Sequence, residues 1–270
     1  MTQIWAVIPA RNEGQRIYKA IESASQAGAD EILVIDNGSA DDTKQIARDH
    51  PHGPRVLSFS QALGPDIPRA VGAQVAISRG ANIVLFLDGD MTGDLAECLK
   101  KLIWAVTRQE AMALTNPFPY GPPTQGLAGE VCRFRLLLNR TVGWAHLGAS
   151  IMSHGPSAVS RRLLLTVGFR TLGHPPVAMA CAARSELGAS VVWNMSHEAL
   201  GGAGRDRVHA QRMAETIIGD CIQAIHTYNR VRPQRSWRGT FYDGYDSQRC
   251  WAWLDRYLET TNTAPPRPCT

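Results

Sequence analysis

The sequence predicts an α/β fold on a mostly parallel sheet, covered by helices on both faces, with a mainly helical C-terminal part. Three observations carry that reading. Five short runs in the first 116 residues are apolar almost from end to end, as strands buried on both faces are. Stretches with helical spacing separate them. Polar residues gather where the first, second and fourth runs end, and in such sheets ligands bind beyond the carboxyl ends of the strands.

Each element follows from its own pattern. "IWAVIPA" (4–10) is the first strand, and Arg11 to Gly28 carries Ile17, Ala20, Ile21 and Ala24 at helical spacing. "EILVIDNGS" (31–39) is a second strand closing in turn residues, and Ala40 to His50 a short helix that Ser39 or Asp41 would cap. "RVLSFS" (55–60), a helix over Pro68 to Arg79, "NIVLFLD" (82–88), a helix over Asp94 to Arg108 with Asp94 as its cap, and "AMALTN" (111–116) complete the regular half. Beyond a Pro/Gly loop (116–126), helices are expected over Glu130 to Val142, 160–168 and Val177 to Leu187, followed by the strand "ASVVWNM" (189–195). A glycine-rich loop (201–205), a long helix over Asp206 to Tyr228 and an Arg- and Trp-rich tail close the chain, with "APPRPCT" reading as disordered.

The bulk numbers exclude several classes. A net charge of +4 over 270 residues is too mild to imply nucleic acid, and no apolar run approaches the ~20 residues of a membrane helix. Six cysteines without a CxxC pair read as reduced thiols. The opening "MTQIWAVIPARNE" lacks the charged-then-apolar layout of a signal peptide, so a cytoplasmic protein without integral membrane contact is expected.

The chemistry starts at "VLFLDGD", which sets Asp88 and Asp90 at the end of a buried strand. Two carboxylates one residue apart can bind a hard cation, which takes phosphate oxygens as further ligands and neutralises charge on a departing diphosphate. "VIPARNE", "VIDNGSADDT" and "VLFLDGD", in that order and spacing, resemble the family 2 glycosyltransferases of the GT-A fold. The resemblance covers about residues 4–95 and implies a metal-dependent enzyme using Mn²⁺ or Mg²⁺. It would move a sugar from a nucleotide diphosphate, UDP favoured, to a small soluble hydroxyl acceptor, with a possible homodimer and no nucleic acid. It implies residues 1–115 as the nucleotide-sugar half, 116–228 as the acceptor half of the same domain, and 229–270 as a helical extension. Pro9, Ala10, Arg11 and Glu13 would hold base and ribose, Asp36 and Asn37 would read the base, and Arg69 would approach the diphosphate. Asp88, Gly89 and Asp90 would take ribose and metal. The family often has two aspartates where Asn37 stands, and its usual Lys-Gly element is replaced by Pro65-Asp66.

An inverting transferase needs a carboxylate to take the acceptor's proton. Where the family carries a Glu-Asp pair, this chain has Pro175, Pro176 and Val177. Glu130, His154, His174 and Glu198 are substitutes by residue type, Glu130 being entered with the acid pair as catalytic. Alternatively the leaving phosphate accepts the proton and the configuration is retained. The chain also resembles the retaining glucosyl-3-phosphoglycerate synthases, which implies His197 as a third metal ligand and tips the balance slightly toward retention. His154, Gly155 and Arg161, in "HGPSAVSRR", are expected at the acceptor, with Arg162 as a further candidate, and Arg205 or Arg207 over the diphosphate. The Arg/Trp tail, apolar at 251, 254 and 258, is expected to pack on the body or a second subunit. A sugar nucleotidyltransferase would need a glycine-rich phosphate loop that "IPARNEG" is not, and no GxGxxG supports a dehydrogenase. The missing Glu-Asp pair leaves a non-catalytic nucleotide-sugar binder as the remaining alternative.

Overall fold

A computed structural model describes residues 2–201 and 206–261. Arg205 and the "APPRPCT" tail therefore lie outside the described residues. The chain runs β1 (Ile4–Ala10), α1 (Ile17–Gln26), β2 (Glu31–Asn37), α2 (Thr43–Arg48), β3 (Arg55–Phe59), α3 (Ile67–Ser78), β4 (Ile83–Phe86), α4 (Ala96–Thr107) and β5 (Met112–Asn116). Then come α5 (Gly126–Thr141), β6 (Ser157–Ser160), α6 (Arg161–Val167), α7 (Pro175–Arg184), β7 (Ala189–Asn194), α8 (His197–Leu200) and α9 (Arg207–Tyr228). A small hairpin, β8 (Ser236–Trp237) with β9 (Thr240–Phe241), precedes α10 (Trp251–Thr260).

Seven strands form one sheet in the order β3-β2-β1-β4-β6-β5-β7. β6 is antiparallel to both its neighbours, and every other pairing is parallel. Alternation along each strand divides the core between the two faces. Ala6, Ile8, Val34 and Leu85 pack with α1 and α4. Trp5, Val7, Ile35 and Phe86 pack with α3 and the helices of the second half.

Several boundaries differ from the sequence reading. α1 starts at Ile17 because Arg11 to Arg16 form turns, the carbonyl of Glu13 accepting from Arg16 and Ile17 N–H. Asp94 does not cap α4: Leu95 occupies the cap position, without a side-chain hydrogen bond. Asp42 stands at the cap of α2, while Asp41 accepts from Thr43 N–H one residue further in. α5 begins four residues earlier than expected, and α7 begins at Pro175, whose missing N–H is no loss at a first helical position. The strand β6 was not foreseen. It is four residues long, half of them serine, and exists because it pairs on both sides. The C-terminal extension contains a hairpin as well as a helix, and it packs on the body. Trp253 meets Phe59 edge-on, Tyr257 O–H donates to Gln74, and Cys250 N–H donates to the Leu63 carbonyl.

The described cysteines are thiols, as expected. Among the described residues Cys98, Cys132, Cys181 and Cys221 are buried and Cys250 is half-buried, none of them in a disulfide. Among the described residues no helix is long and apolar enough to cross a membrane.

Candidate donor-binding site

The parallel register brings the ends of β1, β2 and β4 to one edge: Ala10 lies beside Asp36, and the chain leaving Phe86 continues alongside the end of β1. Gly89 N–H donates to the Pro9 carbonyl at 3.0 Å. A Cβ on Gly89 would stand 2.9 Å from Ala10 Cβ and 3.1 Å from the Pro9 oxygen. The glycine between the acids is therefore a steric requirement: it lets the Asp88–Asp90 turn lie against β1. Pro9, Ala10, Gly89 and the acid pair are thus brought together.

Arg69 comes from the first turns of α3 and is 5% exposed. Its Nη2 donates to Asp88, its Nε lies 3.4 Å from Asp66, and its guanidinium stands over the Phe86 ring. Nη1 is buried without a hydrogen-bond partner. Burial pushes the Asp88 carboxyl up to about 6: Arg69 opposes the shift, while the charges of Asp90, Asp66 and Glu13 add to it. Asp88 thus feels three neighbouring acids against the one arginine that pairs with it, and such a place attracts a cation. Oxygen donors of this kind suit a hard divalent ion.

The β2 end is built differently from the resemblance's expectation. Asp36 is buried and accepts from Ser39 N–H and from the Ser58 hydroxyl at 2.6 Å. Asn37 accepts from Leu63 N–H at 2.7 Å and donates to the Gly64 carbonyl at 3.3 Å. A carboxylate could not do both, so the departure from aspartate has a physical reason: this amide ties the 63–64 loop to the sheet. Asn12, at φ 57°, receives from Ala40 N–H and donates its own N–H to Ser39, stitching the first two strand ends together. Glu13 is buried, with its N–H on Thr43 and its carboxylate on Arg16, while Arg11 is exposed.

α8 closes the other side. Thr92 and Gly93 N–H both donate to the Leu200 carbonyl, and a Cβ on Gly93 would collide with the Ala199 carbonyl. His197 is exposed on this helix, 5.4 Å ring to ring from His154. Gly155, at φ +77°, packs against Thr115 and Leu200. Burial, the Arg135 charge and His197 together hold His154 well below the usual imidazole range. Among the described residues, the donor trio with atoms within 4.8 Å of one another is His174, Asp220 and Asp246. Arg249 and Arg235 already fill that trio, which makes it an ion-pair cluster.

Other expected residues fall elsewhere. Arg161 is the clear correction. β6 runs antiparallel, so Ser157 pairs with Phe86 near the acids and Ser160 pairs with Ile83 at the opposite edge. Arg161 follows Ser160 there and donates to the Ile77 and Ala81 carbonyls, closing the end of α3, while Arg162 is exposed. Glu130 accepts from the Tyr242 hydroxyl in a separate cavity of about 230 Å³, lined also by Gln211 and Glu215. His174 Nε2 donates to Asp246, 2.7 Å away, and its ring lies tilted 4.5 Å from that of Trp251. Glu198 and Arg207 are exposed.

Behind Arg69 lies a feature that the sequence did not announce. Asp88, Arg69, Asp66, Arg249 and Asp220 form an unbroken chain of ion pairs, joined by Asp246, Arg235 and His174. Arg249 has a fully buried side chain and touches Asp66 at 3.0 Å, Asp220 at 2.7 Å and Asp246 at 2.8 Å. It also donates to the Pro65 carbonyl. The ladder thus fixes Pro65-Asp66, the segment that replaces the family's Lys-Gly element, and anchors the C-terminal extension to the donor edge.

Comparison with known proteins fits this geometry. A stretch of 130 residues is 34% identical to glucosyl-3-phosphoglycerate synthase of Mycobacterium tuberculosis, covering 45% of this chain and 39% of that protein. Another of 124 residues is 31% identical to the 4,4'-diaponeurosporenoate glycosyltransferase of Staphylococcus haemolyticus, covering 43% of this chain and 32% of that one. The chain thus matches well under half the length of these relatives. Among solved structures, the M. tuberculosis synthase in complex with Mn²⁺, UDP-glucose and phosphoglyceric acid superposes with a TM-score of 0.57 at 24% identity. That match covers 82% of this chain and 80% of the other. Mannosyl-3-phosphoglycerate synthase of Rubrobacter xylanophilus gives 0.63 at 15% identity, covering 88% and 78%. The family model described as Glycosyl transferase family 2 matches residues 5–164, more than half of the chain. The chain belongs to glycosyl transferase family 2, on a GT-A fold.

Proposed function

We propose that this protein transfers a hexosyl group from a UDP-sugar to a small hydroxyl-bearing acceptor, with retention of configuration. The observation that carries the reading is the acid pair Asp88/Asp90 at the strand end, with Asp88 paired to an Arg69 whose buried Nη1 has no partner of its own. The 34% identical synthase is named for glucosyl transfer to phosphoglycerate, which makes UDP-glucose and phosphoglyceric acid the first substrates to try.

Asp88 and Asp90, with His197 from α8, would hold Mn²⁺ or Mg²⁺, and the ion would neutralise charge on the departing diphosphate. The Arg69 Nη1 donates to a diphosphate oxygen, and Asp66 and Asp88 hold the guanidinium flat for it. Pro9, Ala10 and Arg11 line the ribose and base, and Asp36 and Asn37 shape the base cleft from beneath. Retention is supported by the lack of the family's acid: Pro175 and Pro176 stand at its position, and Glu130 is engaged by Tyr242 in a separate cavity. We give Glu130 no part in proton transfer; the leaving phosphate takes the acceptor's proton.

The test is turnover of UDP-glucose with phosphoglyceric acid and Mn²⁺, with the product's anomeric configuration read by proton NMR. An α-linked product, lost in Asp90→Ala, is expected. A β-linked product would refute retention, and turnover unaffected by Asp90→Ala would refute the role of the acid pair.

A further inference from the structure

Polar side-chain atoms that are buried without a partner are unevenly spread. Of eleven among the described residues, six lie on one face of α5 and in the segment leading into β6: Arg135 Nε, Asn139 Oδ1, Ser150 Oγ, Ser153 Oγ, His154 Nε2 and Ser157 Oγ. Each unsatisfied atom of this kind carries its full desolvation cost. A concentration of them points to a polar occupant.

Arg135 is the centre of this group. It is 3% exposed, and no carboxylate pairs with it among the described residues. The other deeply buried arginines, Arg69, Arg235 and Arg249, all face carboxylates. A buried guanidinium without a counter-charge carries an uncompensated desolvation cost, which an anionic ligand would offset. Its one hydrogen bond joins Nη1 to His154 Nδ1 at 2.7 Å. A guanidinium can only donate, so Nδ1 must accept, and the imidazole proton is fixed on Nε2. The result is two unmet donors held in one place: Nε–H of Arg135 and Nε2–H of His154. At Arg135 and His154 the unmet groups are donors, and they call for a ligand that accepts, such as a carboxylate or a phosphate.

The position suits an acceptor. His154 stacks edge-on against both His197 and Phe118, the latter in the loop that leaves β5 at the ligand-binding edge. Ser157 pairs with Phe86, one residue before the chain turns into Leu87 and Asp88. We propose that Arg135 and His154 form an anion subsite that binds a carboxylate or phosphate of the acceptor. Its acceptor role rests on the transferase reading above; its affinity for an anion does not.

The experiment is calorimetry on the full chain with UDP and Mn²⁺ present, titrating phosphoglyceric acid, D-glycerate, glycerol 3-phosphate and glycerol. The anionic compounds are expected to bind and glycerol to fail. In Arg135→Met, affinity for the anions should fall at least tenfold while UDP affinity stays within twofold. Arg135→Lys keeps the charge without the fork, serves as the second variant if the first does not fold, and should lie between. Comparing D-glycerate with glycerol 3-phosphate tells which anion the subsite takes. Glycerol binding as well as phosphoglyceric acid, or anion affinity unchanged in both variants, would overturn the proposal. If the wild type bound no UDP, the transferase reading would fall alone. Inorganic phosphate would then decide the subsite, by binding to the wild type and not to Arg135→Met, or by failing to bind either.

Discussion

Asp220→Asn is the sharpest perturbation of the ladder behind the donor edge. Asp220 is 2% exposed, and its carboxylate receives Arg235 Nη1 at 2.5 Å, Arg249 Nη1 at 2.9 Å and Arg249 Nη2 at 2.7 Å. Asparagine preserves the shape but removes the charge, and its amide hydrogens face guanidinium donors. Breaking a buried pair this way costs about 3–5 kcal/mol. Asp66 and Asp246 stay on Arg249 and soften the loss, so the lower figure, about 3 kcal/mol, is expected. At ~2–4 °C per kcal/mol for a chain this long, the melting temperature should drop by about 6–12 °C. The assay is differential scanning calorimetry at pH 7.5, with Asp255→Asn as control. Asp255 pairs with Arg170 in the open, where such pairs contribute at most about 1 kcal/mol. EDTA should leave the difference unchanged, because guanidiniums fill the His174–Asp220–Asp246 cluster. A shift under 2 °C in Asp220→Asn, or one abolished by EDTA, would refute the ladder as a structural element.

Three further outcomes follow from single contacts. Asp88→Asn, in metal-free protein, should be more stable than wild type at pH 7.5 and no more stable at pH 4. A carboxyl raised to about 6 loses stability as pH rises from about 4 through 6, and an amide escapes that loss. The gain should be about 1 kcal/mol after discounting for the one-third exposure of the side chain, with transferase activity gone; urea midpoints at the two pH values decide it. Gly89→Ala should cost about 1–3 kcal/mol and most UDP affinity, because Ala10 and the Pro9 carbonyl leave no room for a methyl group; unchanged UDP binding would count against the close turn. Arg161→Ala should lower stability by about 1–2 kcal/mol through the lost Ile77 and Ala81 contacts while the acceptor KM holds, and a raised KM would restore it to the acceptor site.

The donor edge was legible in the sequence because its information is local. Strands buried on both faces read as apolar runs, and each run ends in the residues that the sheet delivers to one edge. What was hidden depends on pairings between distant segments. Ser157–Ser160 has too few residues and too little apolar character to announce a strand, and its antiparallel direction moves Arg161 to the far edge. Asn37 looked like a weakened aspartate, but the fold uses its amide as donor and acceptor at once. Asp220 and Arg249 stand 29 residues apart, and nothing local marks either as a partner of the other. Arg135 carried one usable signal: it interrupts the face that α5 buries through Val131, Phe134 and Leu138. An arginine in such a stripe needs a counter-charge, and that need can be read from the helical spacing alone.

The central claim is that Asp88 and Asp90 make a metal-dependent nucleotide site together with Arg69. Calorimetric titration of UDP-glucose into the wild type and Asp90→Ala, each with and without Mn²⁺, tests it most directly. Binding that requires Mn²⁺ in the wild type and is lost in the variant is the predicted result. Binding indifferent to both Mn²⁺ and Asp90, or no binding at all, would contradict it.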